Sequence, residues 1–292
     1  AFMIIPLASF LVFYVYVNID SFIMAFQTPG KNGLEFAKLD NFKWFFKQLQ
    51  KPSVKEDFNL VLAFKNTFIT FGIQLLMFPI GLFVSYFVYK KILGYKIFRV
   101  LFYLPTIVSG VVVSFFFKKF VTSDFFTGML KDLYSLPSLM NPLTHGKFAN
   151  GMVFLHMIWL GFPGNLIIWG GTFSRIPDSI IESAKLDGVN WVQEMFIIIL
   201  PLVWPTFVLM VTLQLANVFG ATGAVFLLTA GKDGTQTVSN YIYMRIMEVD
   251  NPKTNVTLYR VAAMGMLLTT VSCAVAFVVR KFLVSKIEET TY

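Results

Sequence analysis

The polar run Glu182-Ser183-Ala184-Lys185-Leu186-Asp187-Gly188 lies between two long apolar stretches, and nine residues after Gly188 comes Ile198-Ile199-Leu200-Pro201. Such residue types suit docking rather than bond chemistry. Ser174-Arg175-Ile176-Pro177-Asp178 sets up a helix start, because proline is pre-organised for a first turn and an acid there meets the positive end of the helix dipole. Gly188 supplies the stop. Between them Ile180, Ile181 and Ala184 fall on one face at helical spacing while Glu182 and Lys185 project from the other. Taken alone, this pattern fits either an amphipathic connector on a membrane surface or a helix that docks onto a partner outside the bilayer. A second set of residues with hydrogen-bonding chemistry lies inside apolar runs: His156, Trp159 and Asn165 in one, Gln214 and Asn217 in another, and Asn66 and Gln74 in a third. Polar side chains are costly facing lipid, so these either bond between helices or line a cavity that takes a ligand. His156 reads as a packed neutral imidazole, and Asn66 and Gln74 as packing groups. Catalytic sets are missing. The glycine-lysine pairs at 31, 147 and 232 lack the partner glycine of a phosphate-binding loop, and the sequence has no His/Cys metal cluster, nucleophile elbow or paired catalytic carboxylates.

The elements that position these residues follow from composition. The 292 residues are 56% hydrophobic and 17% aromatic with only 14% charged, against about 25% charged in a soluble domain. Mean hydropathy is +0.68, so lipid is the main solvent of this surface. Six stretches, near 1–19, 60–89, 100–117, 151–173, 195–219 and 260–283, are long enough to cross a hydrocarbon layer about 30 Å thick as helices. They are too long and unbroken for the strands of a barrel. The predicted fold is therefore all-α, a single polytopic membrane domain over 1–292 with six transmembrane helices and the short polar helix, near 177–188, between the fourth and fifth. Residues 1–19 have no basic residue before their apolar run and no cleavage site, and read as a true span, with an N-terminal tail expected ahead of Ala1.

Charge sets the expected orientation. The link Lys90 to Arg99 has four basic residues and no acid, which places it, the Glu182 helix and both termini on the cytoplasmic side. The net charge of +8 and pI of 9.4 are accounted for by topology, so no nucleic-acid partner is inferred. Cys273, the single cysteine, lies inside the last span and reads as a small buried apolar residue. Breakers at Pro29-Gly30, Leu136-Pro137 and Asn141-Pro142 mark outer loops, and Val238 to Glu248 is expected as a surface helix. Prolines 79, 105, 163, 201 and 205 lie in or at the ends of spans, where they either make packing irregular or shape a pathway.

Glu182-Ser183-Ala184, three further residues, Gly188, nine residues and Ile198-x-Leu200-Pro201 resemble the cytoplasmic signature of prokaryotic ABC importer permeases, with Ser183 for the usual alanine as the one change. The likeness extends from about residue 60 to the C-terminus. Lys65-Asn66-Thr67, Phe102-Tyr103-Leu104-Pro105, Trp159-Leu160-Gly161-Phe162-Pro163 and Phe226-Leu227-Leu228-Thr229 are similar to carbohydrate permeases of the maltose and glycerol-phosphate type.

That resemblance implies a prokaryotic cell-membrane permease subunit, non-catalytic, which forms half of a translocation path for a sugar or oligosaccharide. Its partners would be a homologous second permease, two ATPase subunits that bind ATP and Mg, and an extracytoplasmic sugar-binding protein; the chain itself would hold no cofactor and no metal. Pro177, Glu182, Ser183, Ala184, Asp187 and Gly188 would form the coupling helix, with Glu182 contacting the ATPase, Ser183 and Ala184 permitting close approach and Gly188 turning the chain. Substrate contacts would come from Thr106, Trp159, Gly161, Gly164, Asn165, Gln214, Asn217 and Val218. Maltose permeases carry polar residues where this chain has Met157 and Val218, which implies a different glycan. The competing classes are a secondary transporter or channel without an ATPase, disfavoured because the spans hold no central acid and only Lys65 and Arg260 near their ends, and a membrane scaffold, which would not need polar residues in the fourth and fifth spans.

Overall fold

Long apolar runs become long helices here because, in lipid, every backbone amide must find its partner within its own segment. The computed structural model of the chain describes residues 3–30, 33–50, 59–135, 140–220, 223–247 and 257–288. The predicted turn at Leu136-Pro137, the end of the predicted surface helix at Glu248 and the start of the first span at Ala1 lie outside these residues. In chain order the described elements are α1 (Ile4–Ala25), the hairpin β1 (Gln27–Gly30) and β2 (Gly33–Phe36), α2 (Asp40–Gln50), α3 (Leu60–Tyr89), α4 (Tyr95–Ile107), α5 (Gly110–Val121), α6 (Asp124–Tyr134) and α7 (Gly146–Phe173). They continue with α8 (Asp178–Leu186), α9 (Trp191–Ala216), α10 (Gly223–Thr229), α11 (Val238–Met247) and α12 (Leu258–Glu288). The hairpin is antiparallel, with Gln27 opposite Phe36.

Five helices among the described residues are long and apolar enough to cross a membrane, and a sixth span exists if α4 and α5 are counted together. This is an all-α polytopic membrane protein. The first span runs to Ala25, beyond the 19 expected. The third, expected as one helix over 100–117, is two helices meeting at 103°. Pro105 removes a hydrogen bond from the last turn of α4, Val108 is extended (φ −86°, ψ 144°), and Gly110 is a poor helix former, so nothing carries the helix across the junction. By contrast Pro79, Pro163 and Pro205 lie inside helices that remain continuous.

The core is built by α3 packed along α7, α9 along α12 and α4 against the later half of α7. One apolar cluster joins Leu82, Trp169, Phe173, Met195 and Val203 across α3, α7 and α9. Polar links between helices fix their rotation: the Trp169 indole donates to the Phe78 carbonyl (3.1 Å), Trp204 to Leu283 (3.2 Å) and Ser272 to Ala216 (3.3 Å). Since Ser272 and Ala276 face the bundle, Cys273 between them is turned outward and exposed, not buried as expected.

At the end of the bundle away from the Lys90–Arg99 link, residues 234–238 are tied into the core rather than lying on the surface. Asn66 Nδ2 donates to the carbonyls of Gly234 (2.7 Å) and Gln236 (2.9 Å), Asn150 donates to Gly234 (3.0 Å), Gln236 donates to the Asn59 carbonyl (2.6 Å), and the Thr67 hydroxyl accepts from Val238 N (2.9 Å). As a result α11 is a surface helix with one face sunk into the bundle: Asn240, Tyr241 and Arg245 are buried, whereas Tyr243, Ile246 and Met247 are exposed. Asn66 behaves as the packing residue it was read to be. Its replacement in Asn66→Ala takes the Asn66 donor from the Gln236 carbonyl and leaves the Gly234 carbonyl with Asn150, so we expect a loss of about 1–3 kcal/mol, read as a lowered thermal midpoint in detergent with faster proteolysis of the 231–237 segment.

Candidate functional site

Residues of α8 divide cleanly between inward and outward faces. Asp178 in the first turn and Lys185 in the last complement the dipole. The helix ends as its sequence requires: Val189 N bonds the Ala184 carbonyl (3.1 Å), Gly188 N bonds Lys185 (3.2 Å), and Gly188 has φ +69°, a left-handed turn that glycine adopts without strain. Pro177 precedes the first turn, where its carbonyl accepts from Ile180 N at 3.1 Å. Ile176 and Ile181 are buried in the α3/α7/α9 cluster. Outward, Glu182, Ser183, Lys185 and Asp187 are exposed. Ala184 differs from the expectation attached to it: it is buried at 4% exposure, so its methyl serves packing inside this chain and not the outer surface.

Beyond α8 the chain enters α9 through a capping box in which Asn190 accepts from Val192 and Gln193 while the Gln193 side chain accepts from Asn190 N. Residues Glu194–Ile199 are π-helical. Pro201 has no N–H to offer the Ile197 carbonyl, and the wider winding just before it absorbs that mismatch. Glu194 points inward with its side chain 5% exposed and meets Lys90 Nζ, from the residue after α3, at 2.6 Å; the ammonium also lies 5.7 Å from the Tyr86 ring centroid. The sequence reading missed this pair. It placed Lys90 among loop charges and started the fifth span after Glu194, so an acid inside that span went uncounted; the only available signal was the isolated carboxylate in the otherwise apolar 191–201 run.

Between the two ends of the bundle, a cavity of about 360 Å³ is bounded by α3, α5, α7 and α10. Gln74, Ser114 and His156 give it polar groups; Met157, Leu160 and Leu227 give it apolar ones; Gly110, Gly161 and Gly223 let backbone form its wall. His156 is fully buried, edge-on to Phe117 at 5.0 Å, and neither ring nitrogen has a protein partner. Of the expected substrate residues, only Gly161 lines this cavity. Gln214 and Val218 line a separate void of about 10 Å³, room for about one water, where the Gln214 amide donates to Gln74 Oε1. Trp159 is half exposed against Phe117 at 5.9 Å. Thr106 bonds its own helix at the Tyr103 carbonyl (2.7 Å), and Asn217 likewise at Leu213 (3.0 Å). Asn165 packs beside Gly81 on α3, whereas Gly164 has open space where a side chain would be. His156, fully buried against Phe117, and Gln74, bonded to Gln214, pack between helices as their sequence reading has it; that both also border the cavity depends on the α3/α5/α7 arrangement, which no local pattern encodes.

Long apolar helices around a cavity, with a small helix held at one end, define a polytopic integral membrane protein. The chain belongs to the family of binding-protein-dependent transport system inner membrane components, which matches residues 59–289. Members of that family are inner-membrane transport components rather than catalysts. The chain is 28% identical over 214 residues to the probable ABC transporter permease protein YesP of Bacillus subtilis (strain 168), covering 71% of this chain and 66% of that one. Similarity to the arabinooligosaccharides transport system permease protein AraP of the same organism is 28% over 218 residues, covering 72% and 65%. The aligned part thus spans just under two thirds of those relatives. In fold it is similar to a chain in the crystal structure of a bacterial ABC transporter involved in the import of the acidic polysaccharide alginate, with a TM-score of 0.72, 21% identity and coverage of 100% of this chain and 95% of that chain.

Removing one partner of the Lys90–Glu194 pair leaves a charge out of water. We expect Lys90→Ala to cost about 3 kcal/mol, and Lys90→Met combined with Glu194→Gln to recover most of it. Thermal unfolding of the single and double variants in detergent measures both.

Proposed function

We propose that this chain is a permease subunit of an ATP-driven importer for a sugar or oligosaccharide, coupled to a cytoplasmic ATPase through α8. The observation that carries the reading is the two-faced character of α8: Ile181 and Ala184 anchor it to the bundle, and Glu182 and Lys185 stand free toward whatever lies beyond. A helix held this firmly on one side has a polar face available for a partner on the other. The basic Lys90–Arg99 link supports a cytoplasmic location for the α8 end and for both termini. The similarity to AraP, an arabinooligosaccharides transport permease, and membership of a binding-protein-dependent family support a sugar, delivered by an extracytoplasmic binding protein, as the cargo.

In this mechanism, two ATPase subunits close on bound ATP and Mg and draw the α8 helices of this chain and a homologous second permease together. The motion enters the bundle by two routes, the packing of Ile181 against the α3/α7/α9 cluster and the Lys90–Glu194 pair. Both end on α3 and α9, so a shift of α8 is passed to α3, which borders the cavity, and to α9 packed beside it. The cavity then opens outward to receive sugar, and hydrolysis resets it. Its Gln74 amide and glycine backbone, together with Met157, Leu160 and Leu227, suit a ring that is polar at its edge and apolar on its face. The first span, with none of its central window buried in this chain, supplies apolar surface for the second permease or for lipid. A secondary transporter would need an uncommitted acid near the middle of a span; Glu194 is committed to Lys90, and Asp20 lies toward the end of the first span.

Charge reversal in Glu182→Arg should lower ATPase association and transport on the order of tenfold or more without changing membrane insertion, measured by co-purification and uptake into vesicles. Full transport by this variant removes the docking role. Gly161→Leu projects into the cavity, since a side chain there meets nothing within 4 Å. Uptake should fall in that variant while the complex still assembles; unchanged uptake would exclude the cavity from the path.

A further inference from the structure

A second cavity, of about 390 Å³, opens at the α8 end of the bundle between the last turn of α3, the first turns of α4 and the last turns of α7. One wall is cationic and hydroxylic, built from Lys91, Arg99, Tyr95, Tyr103 and Ser174, and no carboxylate lines it. The other wall is apolar, with Val88, Phe102, Leu166 and Ile167. Among the described residues neither Lys91 nor Arg99 is in an ion pair, although the adjacent Lys90 is. Arg99 rests over the Tyr103 ring at 5.8 Å, which orients its guanidinium without neutralising it.

Lys91 holds an unusual backbone position. The end of α3 closes with Ile92 N on the Phe87 carbonyl (3.4 Å) and Lys91 N on Val88 (3.2 Å), a termination whose left-handed residue is normally glycine. Here that residue is Lys91, with φ +53°. A side chain is kept at a conformational cost where glycine would be free of it, and that side chain lines the cavity.

We propose that this cavity binds an anionic phospholipid, with the phosphodiester between Lys91 and Arg99 and an acyl chain along Phe102, Leu166 and Ile167. Two unneutralised cations and tyrosine hydroxyls match a phosphate. The apolar wall, continued outside by exposed Leu101 and Leu104, selects an amphiphile over a free anion. Bound there, the lipid would bridge α3, α4 and α7, on the α4 side of the 103° bend. The inference does not depend on the cargo or on the ATPase.

The test uses the complete complex in nanodiscs containing equal phosphatidylglycerol and phosphatidylcholine, with retained lipid identified by native mass spectrometry. Wild type should retain phosphatidylglycerol over phosphatidylcholine on the order of tenfold. Lys91→Gly combined with Arg99→Gln should abolish that preference, and Lys281→Gln, which removes a cation at the end of α12, should keep it. Equal thermal midpoints of wild type and the double variant in pure phosphatidylcholine would show that the loss is one of binding and not of folding, since glycine is at ease at position 91. A preference that survives in the double variant overturns the proposal. Displacement of the lipid by millimolar inorganic phosphate would make this a site for soluble anions, and displacement by an acidic oligosaccharide would make it part of the cargo path; either result also overturns it.

Discussion

Lys90 and Glu194 are 104 residues apart in sequence, yet their charged atoms meet at 2.6 Å where α3 ends and α9 begins. Glu194 is almost fully withdrawn from water, so neither residue can leave the other without stranding a charge. A hydrophobic pair of similar volume would serve stability as well or better; what the ion pair adds is a single permitted arrangement of these helix ends. Tyr86 extends the restraint by placing its ring beneath the ammonium. The short link from α8 to α9, closed by Gly188 and the Asn190 capping box, delivers Glu194 to this position, and so α8 is held at a fixed distance and angle from the spans.

The opposite end obeys a similar constraint with neutral groups. Asn66, Asn150, Gln236 and Thr67 bind the 234–238 segment across the starts of α3 and α7, satisfying backbone groups that would otherwise be buried unpaired. Between these two ends the helices are joined by neutral links, Trp169 to the Phe78 carbonyl and Gln214 to Gln74. There lie the cavity with His156, the break between α4 and α5, and the local wells formed by glycines 110, 161 and 223.

Much of this was readable in the chain itself, because the signals were local. Apolar run length gave the spans, since backbone satisfaction in lipid leaves only helices. Gly188 and Pro177 bracketed α8, and the spacing of Ile181 and Ala184 identified its inward face. The bend at Val108 was missed because a run from Phe98 to Phe117 is apolar on both sides of it, and hydropathy carries no information about direction. Cys273 was assigned inward although residue type alone cannot say which side of a span faces the bundle. The cavity was the hardest part to read: Gln74, Ser114 and His156 come from three helices, and only their packing brings them together, while Asn165, Thr106 and Asn217, which looked equally suitable, are turned to other neighbours or to their own helix.

The claim at the centre of this account is that α8 meets its partner with the Glu182 face while the Ala184 face stays with the bundle. It is tested most directly by placing a photo-crosslinking amino acid at position 182 and, separately, at position 184 in the assembled complex, followed by mass identification of the cross-linked chain. Position 182 should capture the ATPase and position 184 only this chain. Capture of the ATPase from position 184 and not from 182, or from neither, would contradict it.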